Sequence, residues 1–184
     1  MIAVVIIIAL VVVLGLILVG MYNRLVRLRN RCENAWSQVD VQLQRRRDLI
    51  PNLVETVKGY AAHERATFEE VTKARTAAQQ AQGVPQQAQA ENMLTQAIGR
   101  LFAVAEQYPE LRATENFQQL QAQLAETENR IAISRQVYND TVLTYDNALE
   151  TLPTSILAGI FNFRPRVYFE TEGAAREAPQ VQFS

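Results

Sequence analysis

MIAVVIIIALVVVLGLILVG, residues 1–20, decides the fold. Every residue in it is apolar or glycine. A helix of about 20 residues, rising 1.5 Å each, covers the roughly 30 Å hydrocarbon core of a bilayer. A cleaved signal peptide is the competing reading, but it requires a basic stretch before a shorter apolar core and a small-residue cleavage site after it. Here the basic residues come afterwards, as Arg24, Arg27, Arg29 and Arg31. The expectation is a single transmembrane anchor over residues 1–21. Because basic flanks stay on the cytoplasmic side, the soluble part is expected in the cytoplasm with Met1 outside. The four arginines form a candidate membrane interface that fixes topology and can meet anionic headgroups, at about 1 kcal/mol each. Gly15 and Gly20 stand five apart, not at the four-residue spacing that brings membrane helices together, so any oligomer is expected to form through the soluble part.

Immediately outward, Leu25, Leu28, Cys32, Ala35 and Val39 fall at helical spacing, joined by a neighbouring row of Trp36, Leu43 and Ile50. No glycine interrupts Met21 to Lys58, so the membrane helix is predicted to run on into the first soluble helix. Pro51 has no amide proton for the carbonyl of Arg47 and its ring crowds that turn, which predicts a kink or a break near Ile50. Periodicity resumes with Leu53, Val54, Val57, Ala61, Phe68 and Val71. Thr76 to Ala90 is rich in Ala and Gln and contains Gly83 and Pro85; it reads as a frayed helix end and an exposed connection. Glu91 to Gln107 reads as a helix burying Met93, Leu94, Ile98, Leu101, Phe102 and Ala105. Tyr108 and Pro109 close it, with Pro109 suited to the first turn of the next helix.

The longest regular signal is Phe117, Leu120, Leu124, Thr127, Ile131, Ser134, Tyr138, Thr141 and Tyr145, a heptad seam over about four repeats. Its hydroxyl residues suit packing inside a bundle. Pro153 ends it. Ile156, Leu157, Ile160, Phe161 and Phe163 then form a short apolar run, and Arg164 to Glu170 alternates like a strand. Residues 171–184 are polar and read as a loosely held tail that Phe183 is able to dock.

With 184 residues and a net charge of −1, the chain has room for the anchor and one domain, 22–170. A single cysteine excludes an internal disulfide, a thiolate zinc site and a paired redox site. His63 is the only histidine, and His63-Glu64 runs into Arg65 without the second histidine of a zinc-protease helix. Cys32 lies on the apolar row and reads as a packed small hydrophobe. No glycine-rich phosphate loop is present. The expectation is therefore no enzyme activity, no cofactor, no metal and no nucleic-acid partner. Arg45, Arg46 and Arg47, with Trp36 nearby, are able to grip an anionic ligand or lipid; the blander reading is a solvated face with Asp48 paired to Arg45. Adjacent helical residues point about 100° apart, so the three arginines do not all face one ligand.

Several ordered motifs carry a likeness. Asn34 to Leu43, the segment Arg46-Arg47-Asp48-Leu49-Ile50-Pro51-Asn52-Leu53-Val54, and Glu115-Asn116-Phe117 with Gln119-Leu120 resemble the LemA family of bacterial membrane proteins. So do Glu128 to Ala132, Arg135 to Asn139, and Phe161-Asn162-Phe163 leading to Tyr168-Phe169. The resemblance implies one membrane helix and an antiparallel helical bundle inside, with no catalytic residue to carry over. It also implies an envelope-associated role among other envelope proteins. The chain begins directly in its apolar run, unlike members with a few polar residues first, which leaves orientation resting on the arginines.

The fold expected is all-α: a single N-terminal transmembrane helix continuing into an antiparallel bundle of about four long helices, kinked at Pro51, with a short extended C-terminal segment. The function expected is a membrane-anchored, non-enzymatic scaffold or interaction protein of the bacterial inner membrane. Lipid is one expected partner and further copies of the chain another. Trp36, Ile156, Leu157, Ile160, Phe161, Phe163 and Phe169 form its candidate assembly or packing surface. The alternative is a lipid or ligand sensor using the basic collar and Arg45 to Arg47.

Overall fold

A computed structural model describes residues 1–170; the tail expected over 171–184, Phe183 included, lies outside the described residues. Six helices and no strand occur among the described residues: α1 (Ile2–Lys58), α2 (Arg65–Gln80), α3 (Gly83–Ala105), α4 (Pro109–Arg112), α5 (Glu115–Glu150) and α6 (Thr154–Ile160). The all-α expectation holds.

α1 is a single helix of 57 residues in which the apolar run and the first amphipathic stretch are continuous. Of the kink or break expected near Ile50, the break does not occur: the helix passes through Pro51 to Lys58. The reason is local. Arg75 Nε donates to the carbonyl of Arg47 at 2.9 Å, supplying the hydrogen bond that Pro51 withholds. The helix ends instead where Gly59 follows Lys58, and Ala61 N–H closes back on Val57 O at 2.9 Å.

The described chain divides into two packed units. The first comprises residues 1–42 and 130–168. In it α1 buries Leu25, Leu28, Cys32, Ala35 and Val39, and α5 buries Ile131, Tyr138, Val142 and Tyr145. Burying each Leu or Ile is worth about 1.5–3 kcal/mol relative to leaving it exposed. The helices run antiparallel: Trp36 packs on Tyr138 with ring centroids 5.4 Å apart, while Cys32 Sγ reaches the carbonyl of Thr141, farther along α5, at 3.4 Å. The strand-like signal at Arg164 to Glu170 carries no regular secondary structure and joins no ladder among the described residues. Side chains of α5 hold it: Tyr138 Oη donates to Val167 O at 2.7 Å, and Asp146 Oδ1 accepts from Arg166 N–H at 3.2 Å.

The second unit comprises residues 43–129 with Phe169. Its core gathers Ile50, Leu53 and Val57 of α1, Phe68 and Val71 of α2, Leu94, Ile98 and Leu101 of α3, Leu111 of α4, and Phe117, Leu120 and Leu124 of α5. α2 packs along α3 and only Ala81 and Gln82 separate them. Gly83 begins α3 at φ +74°, a conformation that glycine adopts without a Cβ penalty. The Ala/Gln-rich stretch is thus no exposed connection: Ala78, Gln87, Ala88 and Ala90 are buried. Alanine side chains let two helices approach closely, and Gln87 finds polar partners. Met93 is exposed, since the buried register of α3 is Glu91, Leu94, Ile98, Leu101 and Ala105.

Candidate membrane-interface site

In the first unit the apolar part of α1 stands uncovered; Leu10 and Leu14 keep more than half of their surface exposed. This stretch is long and apolar enough to cross a membrane. At its lower end Tyr22 begins an aromatic knot. Its ring lies 4.8 Å from that of Phe161 and 5.8 Å from that of Phe163, both in tilted or edge-on arrangements favoured by ring quadrupoles. The Arg29 guanidinium lies 5.6 Å from the centre of the Phe163 ring, a cation–π distance.

The geometry of α6 explains how Phe161 and Phe163 reach Tyr22. Asn162 takes φ 54°, and its amide bonds Gly159 O at 3.3 Å while that of Phe163 bonds Ala158 O at 2.9 Å. These two bonds close a Schellman cap, which reverses the chain and satisfies the last carbonyls of α6. Asparagine is one of the few non-glycine residues that visit this left-handed region readily. Leu18, Val19 and Tyr22 of α1 and Leu157, Ile160 and Phe161 then line a groove of about 440 Å³.

The expected interface arginines Arg24, Arg27, Arg29 and Arg31 are all exposed, and Arg24, Arg27 and Arg31 share one face at spacings of three and four. The candidate assembly surface divides. Leu157 and Phe169 are buried, Trp36 and Phe163 are half-buried against aromatic neighbours, and Ile156, Ile160 and Phe161 are exposed.

The Arg45 to Arg47 run departs from its expectation. Arg46 and Arg47 are buried in the second unit and so are no ligands for an outside anion; Arg45 alone of the three is exposed. Glu91 of α3 receives both. Arg46 pairs with Glu91 through Nη2, with Glu128 Oε1 through Nη1 at 2.7 Å, and with Thr95 Oγ1 at 2.9 Å. Arg47 Nη1 reaches Glu91 Oε1 at 3.0 Å and Ala78 O at 3.1 Å, and Gln87 Nε2 adds a bond to the same carboxylate oxygen at 2.8 Å. Burial disfavours the charge on Arg46, but Glu91 and Glu128 outweigh it and the net shift is upward, so the guanidinium stays protonated. Asp48 accepts from Gln44 Nε2 at 2.7 Å, in place of the expected pair with Arg45. The network ties α1, α2, α3 and α5 together and was signalled in sequence by register: Arg46 falls on the row of Val39, Leu43, Ile50 and Leu53, and Glu91 on that of Leu94, Ile98 and Leu101.

Elsewhere the chemistry-bearing residues stay apart. Cys32 is buried, and burial raises its thiol pKa above the ordinary value, the opposite of nucleophile activation. His63, whose sequence context suggests a solvent-facing helix residue, is exposed but lies in the turn between α1 and α2.

The family model described as "LemA family" matches residues 35–183, most of the chain. The chain belongs to the LemA family. Among curated LemA-like relatives, Magnetosome protein MamQ 2 of Paramagnetospirillum magneticum is 29% identical over 83% of this chain, and Magnetosome protein MamQ of Magnetospirillum gryphiswaldense 27% over the same share. Protein LemA of Metamycoplasma hominis is 24% identical over 76% of the chain. The chain spans 66% of the length of those magnetosome relatives and 64% of that of the Metamycoplasma protein. Both the helical architecture and the long apolar N-terminal helix agree with what the LemA resemblance implied for the fold.

Proposed function

We propose that this LemA-family chain is a membrane-anchored, non-enzymatic scaffold of the bacterial cell envelope that assembles into homo-oligomers through its helical part. The observation carrying the proposal is the unbroken course of α1 from the exposed apolar run into buried helix faces, which transmits position from the bilayer to the packed domain without a hinge. Arg24, Arg27, Arg29 and Arg31 hold the domain on the cytoplasmic side of the inner membrane and meet anionic headgroups. On α5, Ile133 and Val137 lie four apart and remain exposed at 63% and 44%, an apolar pair that a second copy covers.

Light scattering on the full-length protein in mild detergent tests the assembly. Several copies per particle are expected, reduced to one by Ile133→Glu with Val137→Glu; a wild-type monomer over a wide concentration range defeats the scaffold reading. For topology, a cysteine placed at exposed Gln119 should react with an impermeant maleimide only after cells are opened. Reaction in intact cells reverses the orientation.

A further inference from the structure

The exposed apolar side chains of Leu152, Ile156, Ile160 and Phe161 retain 77%, 59%, 69% and 55% of their surface. Of these, Ile160 and Phe161 face the end of the apolar part of α1, Phe161 against the Tyr22 ring. Leu18 and Val19, which wall the groove with Leu157, Ile160 and Phe161, lie near the end of the run that starts at Met1. At 1.5 Å per residue they stand within about 3 Å of Gly20, where the apolar run gives way to the polar segment carrying Arg24, which puts them at the boundary between hydrocarbon and headgroups. The charge pattern agrees: Thr151 to Phe169 carries Arg164, with Arg166 paired to Glu33 at 2.5 Å, and no Asp or Glu, and Arg24 and Arg29 stand on the adjoining turns of α1. An apolar face rimmed by cations and aromatic rings has the composition of an element lying in the interface plane.

We infer that α6 and its capping turn are a second membrane contact, embedded flat in the interfacial layer, and that the groove against α1 holds the acyl chain of a bilayer phospholipid. The inference rests on the reading of α1 as a membrane anchor. The lipid chain fills the 440 Å³ space that Leu18, Val19, Leu157 and Ile160 leave open, a volume in the range of small-molecule sites. Its phosphate sits at the level of Arg24 and Arg29. Tyr22 and Phe161 close the groove on the water side, and the Schellman cap at Asn162 sets the depth of the phenyl ring.

Full-length protein in nanodiscs of phosphatidylcholine with phosphatidylglycerol tests this with spin labels at single introduced cysteines, the native Cys32 being buried from the reagent. Leu10→Cys reports the span, Ile160→Cys reports α6 and Gln119→Cys reports the aqueous domain. The expected result is that oxygen relaxes the labels at 10 and 160 more than a water-soluble nickel complex does, and that the order is inverted at 119. A water-like label at 160 beside a lipid-like label at 10 overturns the interfacial helix and leaves the anchor standing. Water-like labels at both sites overturn the two together. A label at 160 shielded from both reagents shows a protein neighbour on this face and also overturns the proposal. Independently, a phosphatidylcholine bearing a photoactivatable acyl chain should cross-link to the peptide containing Leu157 to Phe161; adducts confined to residues 1–17 remove the groove.

Discussion

Arg75 donates from Nε to the backbone carbonyl of Arg47 at 2.9 Å, and that carbonyl is the one Pro51, four residues on, has no amide proton to serve. A side chain from α2 thus repairs the helix that proline interrupts. Arg75→Ala should destabilise the protein by about 1.5 kcal/mol, the scale of a hydrogen bond to a charged donor. In a Pro51→Ala background the restored amide competes for the same carbonyl, and the cost of Arg75→Ala should shrink. A double-mutant cycle of thermal melts measures the coupling; additive losses contradict the repair.

Glu91 is shared by two buried arginines. Removing its charge leaves Arg46 and Arg47 desolvated without their common counter-ion, so Glu91→Gln should cost about 3–5 kcal/mol. Glu128→Gln should cost clearly less, because the Glu128 side chain is 42% exposed and water takes over part of its role. Denaturant titrations of the two variants should rank in that order.

Burial raises the pKa of Cys32, Tyr138 and Tyr145 in the folded state. Below the unfolded values, about 8.5 for cysteine and 10 for tyrosine, all three are neutral in both states and stability is unaffected. As pH climbs past those values the unfolded chain loses protons that the folded chain keeps, so stability falls until the folded groups also ionise. Melting temperature should therefore drop from roughly pH 9 upward, and Tyr145→Phe should flatten that drop. Cys32 should react slowly with a maleimide in the folded state; rapid labelling at neutral pH contradicts its burial.

Asn162 stands at φ 54° in the cap of α6. Asn162→Gly keeps the cap and should change stability by a few tenths of a kcal/mol, whereas Asn162→Val forces a branched side chain into the left-handed region at about 1–2 kcal/mol. Fluorescence of Trp36 during denaturation reports both. Equal behaviour of the two variants argues against the cap.

The helical architecture was legible wherever one apolar row persisted. Phe117 to Tyr145 and Leu25 to Val39 are buried or half-buried as their spacing predicts, because a long amphipathic helix has only one face to hide. Reading failed where partners came from distant sequence. Spacing around Pro51 allows a break because the residue that serves the Arg47 carbonyl, Arg75, is 24 residues downstream, and it allows Arg46 and Arg47 to face an anion or solvent because Glu91 supplies their counter-charge from another helix. Ala78, Ala88 and Ala90 seemed too small to matter, yet smallness is what permits α2 and α3 to lie close. The groove at Leu18 and Ile160 joins residues more than a hundred positions apart, and periodicity carries no information about such a meeting.

The unbroken α1 also makes this chain intolerant of insertions in a place that looks permissive. A single residue added between Tyr22 and Leu25 would leave both stretches helical but turn the lower one by about 100° and shift it by 1.5 Å. Leu25 and Cys32 would keep their seats against α5, so the upper stretch would have to swivel, carrying Leu18 and Val19 away from Ile160. Azimuth, like a key cut to one lock, is fixed by residue count rather than by residue type.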